Sequence, residues 1–283
     1  MSNNGSYTVG FSGQCIEIGY NSPEARSLAE FLFCDLLTES AHPPRARYDI
    51  LVVGNPSQIS LWQGNKKLYF GESKYKPAYM LINEVIYHCI VDYSKGHAVH
   101  AGALSSHDQG ILVPGKSGSG KSTFTAWLAS KGLHYLSDEL VFISENGNLH
   151  PFTRPLSLKN PDHSLLSTFI DLNVEQDKLI NEPRGVMIPH RLIQPDFRPG
   201  TPPLSLILFT HFQPGAEIEI TPLSSARSCF QLMECHVNTR NISGHGFNDL
   251  AELTRQTEAY QLTYGSFDGL FERLQPILSR LPH

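Results

Sequence analysis

Hydrophobic and polar positions change period repeatedly along this chain, and each change marks an element. Tyr7-Thr8-Val9-Gly10-Phe11 and Cys15-Ile16-Glu17-Ile18 alternate as paired short strands do. Residues 23–37 switch to helical spacing, with Ser22 placed as N-cap and Pro23 at the first helical position. Residues 48–53 read as a buried strand, and residues 59–70 as a hairpin turning at Gly64-Asn65. Ile82, Val85, Ile86, Cys89 and Ile90 form one apolar stripe, which predicts a helix over 77–93. Residues 97–104 return to strand. A polar turn follows through Asp108-Gln109-Gly110, and then a short buried strand, Ile111-Leu112-Val113.

The second half is less even. A helix is predicted over 121–130, with Phe124, Trp127 and Leu128 on one face and Gly132 stopping it. Residues 135–143 read as strand, closed by a hairpin turn at Glu145-Asn146-Gly147-Asn148. Residues 160–203 are rich in proline and carry no clear period, so loop with short helices is expected. Residues 204–210 form a buried strand, with Ile218-Glu219-Ile220 as its expected partner. Phe267, Leu270, Phe271, Leu274 and Leu278 mark a closing amphipathic helix. There is no internal repeat. This organisation divides the chain into a mixed α+β subdomain over 1–94 and a larger domain over 95–283.

Composition narrows the function classes. The 283 residues are 40% hydrophobic, as in ordinary globular proteins. A formal charge of −5, with no basic run beyond Lys66-Lys67, argues against a general nucleic-acid surface. No stretch approaches the roughly 18 apolar residues that span a bilayer, so no membrane partner is expected. The first residues lack a signal-peptide pattern. Cys15, Cys34, Cys89, Cys229 and Cys235 are odd in number and lack paired spacing, which predicts free thiols and a cytoplasmic location. Cys229, Cys235 and His236 lack metal-ligand spacing and read as core or surface residues.

The chemistry begins at Gly115-Lys116-Ser117-Gly118-Ser119-Gly120-Lys121-Ser122, a complete Walker A loop, G-x-x-x-x-G-K-[ST]. The glycines let successive backbone N–H groups turn toward phosphate oxygens, and Thr123 continues that run into the helix. Lys121 brings a charge to the β- and γ-phosphates, and the Ser122 hydroxyl is a Mg²⁺ ligand. The strand before and the helix after are the context this loop requires. Unsatisfied N–H groups at the helix start add to the anion site.

A second acidic site follows. Asp138-Glu139 falls on the next predicted strand, 17 residues beyond Lys121. A carboxylate beside a phosphate loop can hold Mg²⁺ or accept a proton from an attacking hydroxyl, and two adjacent carboxylates can divide those tasks.

With His97-Ala98-Val99-His100-Ala101-Gly102 before the loop and Ser137-Asp138-Glu139-Leu140-Val141 after it, the chain resembles the HPr kinase/phosphorylase superfamily. The nearer match is to the HPr-kinase-related kinase A group. It rests on Pro151-Phe152-Thr153-Arg154-Pro155-Leu156-Ser157-Leu158-Lys159-Asn160, on residues 204–209 with Gln213-Pro214-Gly215, and on Tyr260-Gln261-Leu262-Thr263-Tyr264. The resemblance covers roughly residues 97–283. It implies an α/β fold, a P-loop kinase core similar to HPr kinase and phosphoenolpyruvate carboxykinase, carrying the N-terminal α+β subdomain.

The resemblance also implies roles. Lys121 and the loop cradle ATP, Ser122 and Asp138 hold Mg²⁺, and Asp138 or Glu139 is the base. HPr kinases carry two aspartates where this chain has Asp138-Glu139, so the division between base and metal ligand stays open. His100 matches a family histidine placed to touch the acid pair or the γ-phosphate; its other reading is a structural strand histidine. His97, three residues away, belongs to the opposite strand face. Glu182-Pro183-Arg184-Gly185 resembles the family's Glu-x-Arg-Gly signature, which makes Arg184 a candidate for neutralising transition-state charge or else a plain loop arginine. Arg154 and Lys159 are candidates for nucleotide contacts, or solvated hairpin-edge cations. The implied activity is transfer of the ATP γ-phosphate to a hydroxyl of a protein, peptide or small molecule, serine being one candidate. Family members tend to accompany a small peptide chaperone of the PqqD type. The rival reading is a nucleotide-binding regulatory or assembly module with little turnover.

Overall fold

The computed structural model describes residues 4–39, 42–116, 118–159, 163–183 and 185–282. The chain is mixed α/β and divides into two compact units, Met1–Asp92 with Thr153–Leu192, and Tyr93–Phe152 with Ile193–His283. The first boundary lies close to residue 94, but residues 153–192 group with the N-terminal unit rather than with the rest of 95–283.

In the first unit, strands β1 (Gly5–Phe11), β2 (Gln14–Tyr20), β3 (Ala46–Val53), β4 (Gln58–Gln63) and β5 (Lys66–Gly71) form one sheet in sequence order. Neighbours are antiparallel except β2 and β3, which are parallel. A parallel neighbour requires a crossover, and helix α1 (Pro23–Phe33) supplies it. Its start is as the sequence predicts: the Ser22 hydroxyl accepts a hydrogen bond from the Ala25 N–H at 3.1 Å, with Pro23 in the first turn. Its end comes earlier than residue 37. Cys34 is the C-cap, and Leu37 instead bridges to Val9. Helix α2 (Tyr75–Ile90) contributes Leu81, Ile82 and Val85 to the buried core, together with Ile16, Ile18, Ile50 and Leu61 of the sheet.

The second unit starts with β6 (Gly96–Ser106), β7 (Gln109–Pro114), helix α3 (Lys121–Ser130), β8 (His134–Ser144) and β9 (Leu149–Pro151). The chain then returns to the first unit. There β10 (Leu156–Lys159), β11 (Ile180–Glu182) and β12 (Gly185–Ile188) form a small antiparallel sheet, in the order β10-β12-β11. The short helices α4 (His163–Ser167), α5 (Leu172–Glu175) and α6 (His190–Ile193) lie in the same stretch. The two strands β11 and β12 correct the expectation of loop and helix only over 160–203. Each is three or four residues long, too short for a period to register.

The second unit is completed by β13 (Leu204–Phe212), β14 (Glu219–Pro222), α7 (Ser225–Glu234), α8 (Phe247–Gln256), β15 (Glu258–Tyr264) and α9 (Leu270–Leu278). Its sheet has the order β14-β15-β13-β7-β6-β8-β9. Strands β7, β13 and β15 are mutually parallel. Ile218-Glu219-Ile220 does not pair with β13 as expected. β14 pairs with β15, which lies between them.

Alternation along β6 builds the two faces of this sheet. Val99, Ala101 and Ala103 join Val141 and Ile143 of β8 in a core with Cys229, Leu232 and Cys235 from the α7 region and Leu250 of α8. On the other face, a Cβ at Gly102 would stand 2.2 Å from the Thr125 hydroxyl of α3. Only glycine lets the loop helix come this close, and overpacking there would cost about 1–3 kcal/mol. Among the described residues, no helix is long and apolar enough to cross a membrane.

Candidate functional site

The Walker A residues join β7 to α3 in the second unit. Gly118 and Gly120 have φ of +92° and +89°, conformations that glycine adopts without a Cβ penalty. Gly120 is the N-cap of α3 and no side chain caps that end among the described residues. The first N–H groups of a helix have no intrahelical acceptor, so the loop presents backbone donors where the sequence placed the phosphates. Ser119 N–H donates to Lys116 O at 3.1 Å, and Phe212 N–H at the end of β13 donates to Ser119 O at 3.3 Å. Lys116 is exposed and pairs with Glu234 at 3.2 Å. Ser122 and Thr123 are half-buried in the first helical turn. Ser117 lies outside the described residues.

Lys121 is 5% exposed and Asp138 is fully buried, with Nζ 3.7 Å from Oδ1. Asp138 stands opposite Gly102 in the β6–β8 ladder, on the face that α3 covers. A buried ammonium requires an opposite charge close by, and the strand after the loop helix supplies it.

His100 Nε2 lies 2.9 Å from Glu139 Oε1, with both side chains about one-third exposed (27% and 35%). In a regular ladder, residues directly opposite share a face. Glu139 stands opposite Ala101, and His100 opposite Leu140, so a regular pleat would turn Glu139 toward the α7 and α8 core. Glu139 instead has φ of +141°. That conformation favours glycine and costs a larger residue about 1–3 kcal/mol. The departure from regular strand falls at the residue whose carboxylate reaches across to His100. The His100 main chain is fixed as well: its N–H donates to Cys235 O at 2.8 Å, and its carbonyl accepts from Gly115 N–H at 3.5 Å. Loop, histidine and acid pair are therefore tied to one strand.

Lys159 is exposed at the end of β10 in the first unit. Arg184 lies outside the described residues, while Glu182 beside it accepts a hydrogen bond from the Ser73 hydroxyl. Arg154 is only 2% exposed, so it is not a solvated edge cation; its Nε donates to Pro155 O at 3.1 Å. His97 is turned away from the acid pair, as its place on the strand predicts. Its Nδ1 is 3.4 Å from His236 Nε2 and its Nε2 3.9 Å from Asp249 Oδ2. Cys229 and Cys235 are buried and unbridged. Sequence reasoning missed Cys235, whose carbonyl anchors His100, and Phe212, which packs on Gly120. Neither has a local signal, because both reach the loop through tertiary pairing.

The donor set suits a nucleoside triphosphate with Mg²⁺. Backbone N–H groups and a buried lysine match phosphate oxygens. Mg²⁺ takes oxygen ligands and is held by one or two carboxylates plus substrate phosphates, and Ser122 and Asp138 offer a hydroxyl and a carboxylate beside the loop. No family model and no curated protein matches this chain.

Proposed function

We propose that this chain is an ATP- and Mg²⁺-dependent kinase with a P-loop core of the HPr-kinase type, passing the γ-phosphate to a hydroxyl acceptor. A serine of a protein or peptide is the favoured acceptor class, and a PqqD-type peptide chaperone is the proposed accessory partner. A cytoplasmic location accords with the free cysteines.

The observation that carries the reading is the different burial and partner of the two acids. Asp138 is buried against Lys121 of the Walker A loop, while Glu139 is partly exposed and paired with His100. A base must meet its acceptor, and a metal ligand must sit beside the loop. Asp138, with Ser122, would hold the Mg²⁺, which when bound neutralises phosphate charge. Glu139 takes the proton of the acceptor hydroxyl as that oxygen forms its bond to phosphorus and the bond to ADP breaks. His100 orients Glu139 and holds its charge. Lys121 offsets charge on the phosphates, so catalysis is mostly positioning and electrostatics.

The test is transfer of ³²P from γ-labelled ATP into a native extract, with Lys121→Ala as control. Labelling of an acceptor by the wild type and not by the variant is expected. Nucleotide binding without any transfer would favour the regulatory-module reading instead.

A further inference from the structure

The loop has a second neighbour that the kinase reading leaves unused. Phe212 ends β13 and is 44% exposed, although its main chain bonds to the Walker A loop. A Cβ on Gly120 would stand 3.0 Å from the Phe212 Cβ and 3.1 Å from the Tyr264 hydroxyl. The Phe212 ring lies 5.6 Å from Tyr264, which packs on Phe124 of α3 at 5.7 Å. Phe124 in turn leans on Trp127, and Trp127 stacks on Phe267 at 4.6 Å. The inner rings of this series are buried, and Phe212 alone among these five is strongly exposed. An exposed aromatic backed by packed rings has a free face on which a planar base can stack.

Its position fits one end of a nucleotide. The sheet order places the acid pair on β8 and Phe212 on β13, on opposite sides of the loop strand β7. Three strand spacings separate β8 from β13, roughly 14 Å at about 4.8 Å each, a length comparable with an extended nucleoside triphosphate. β7, β13 and β15 are parallel, and in open α/β sheets ligands lie beyond the carboxyl ends of such strands. If the reacting phosphate meets Asp138 and Glu139, the base must fall on the other flank.

We infer that the exposed ring of Phe212 is the stacking platform for the nucleotide's purine base, with the 212–215 turn as its outer wall. This rests on the kinase reading only as far as nucleotide binding. The turn is fixed from both sides: Gln213 N–H donates to Tyr264 O at 3.0 Å, and Ala216 N–H to Gln213 O at 3.0 Å. Every base has a π-face, so stacking supplies affinity with little discrimination between purines.

Calorimetric titration of the whole chain with two probes, Mg·ATP and inorganic tripolyphosphate, tests the inference. Phe212→Ala should bind Mg·ATP roughly tenfold or more weakly and tripolyphosphate as the wild type does. Phe212→Trp, which keeps a ring, should retain ATP affinity and guards against a trivial folding defect. Lys121→Ala should lose both probes. If Phe212→Ala leaves ATP affinity unchanged, or weakens both probes equally, the stacking role is overturned while the phosphate loop stands. If the wild type binds neither probe, nucleotide binding itself fails and the stacking role fails with it.

Discussion

The two faces of strand β6 carry histidines three residues apart in opposite circumstances. His100 meets a carboxylate at 2.9 Å and keeps 27% of its side chain in solvent. His97 is sealed at 5% exposure against a second imidazole, and Asp249 lies no nearer than 3.9 Å. The odd positions 99, 101 and 103 share the apolar core with α7 and α8. The even position 102 is packed by the loop helix. Residue type does not separate the two histidines. The parity of the pleat does, by deciding which helix layer each one meets. One layer begins at the Walker A loop, and the other is an ordinary core.

That contrast predicts where charge matters for chemistry. Asp138→Asn and Glu139→Gln keep shape and remove charge on the loop face. At least one variant should lose on the order of 10²-fold or more in phosphoryl transfer while still binding nucleotide, a loss of about 2.7 kcal/mol or more in transition-state stabilisation. The positions described here make Glu139→Gln the variant that falls in kcat with little change in KM. Single-turnover transfer and equilibrium ATP binding, measured on both, check it. Full transfer by both variants would end the kinase mechanism.

The histidines should then part company. His100→Ala should lower turnover with little change in melting temperature, since it removes a partly exposed group that touches the acid. His97→Ala should leave the acid pair untouched and destabilise the fold by about 1–3 kcal/mol, through a cavity and an unpaired His236. Paired denaturation and turnover measurements decide. Equal effects of the two variants on both readouts would erase the distinction between the faces.

Much of this site was legible in the chain because it is local. The Walker A motif, the helix from Lys121 to Ser130 and the position of Asp138-Glu139 need only spacing and period. The parity argument alone separated His97 from His100. What escaped was set by distant pairing. Ile218-Glu219-Ile220 cannot announce that β15, some forty residues later, comes between it and β13. The helix expected to reach residue 37 stops because Leu37 finds Val9, a contact no local pattern encodes. The short strands β11 and β12 carry too few residues for alternation to be seen. Least legible was the positive φ of Glu139. Sequence offers glycine as the signal for such backbone, and here a carboxylate occupies it.

The sealed face should show itself through pH. Burial pushes the His236 imidazole down to about 4, and the neighbouring His97 pushes the same way, against an opposing hydrogen bond from Asn238. His97 is lowered too, by burial, with Asp249 opposing. In the unfolded chain both return to about 6.5. Between pH 6.5 and 4 the unfolded state therefore binds more protons than the folded one, and stability must rise with pH across that window. It is fully present above about pH 6.5 and is lost as pH falls toward the folded value. For His236 alone the loss from pH 7 to pH 5 is on the order of 1–2 kcal/mol. Urea denaturation at the two pH values, compared between the wild type and His236→Gln, isolates this part, because the other titrating groups remain in both proteins. The wild type should weaken more than the variant on acidification. An equal loss in the wild type and His236→Gln would remove the buried histidine pair from the acid sensitivity of the fold.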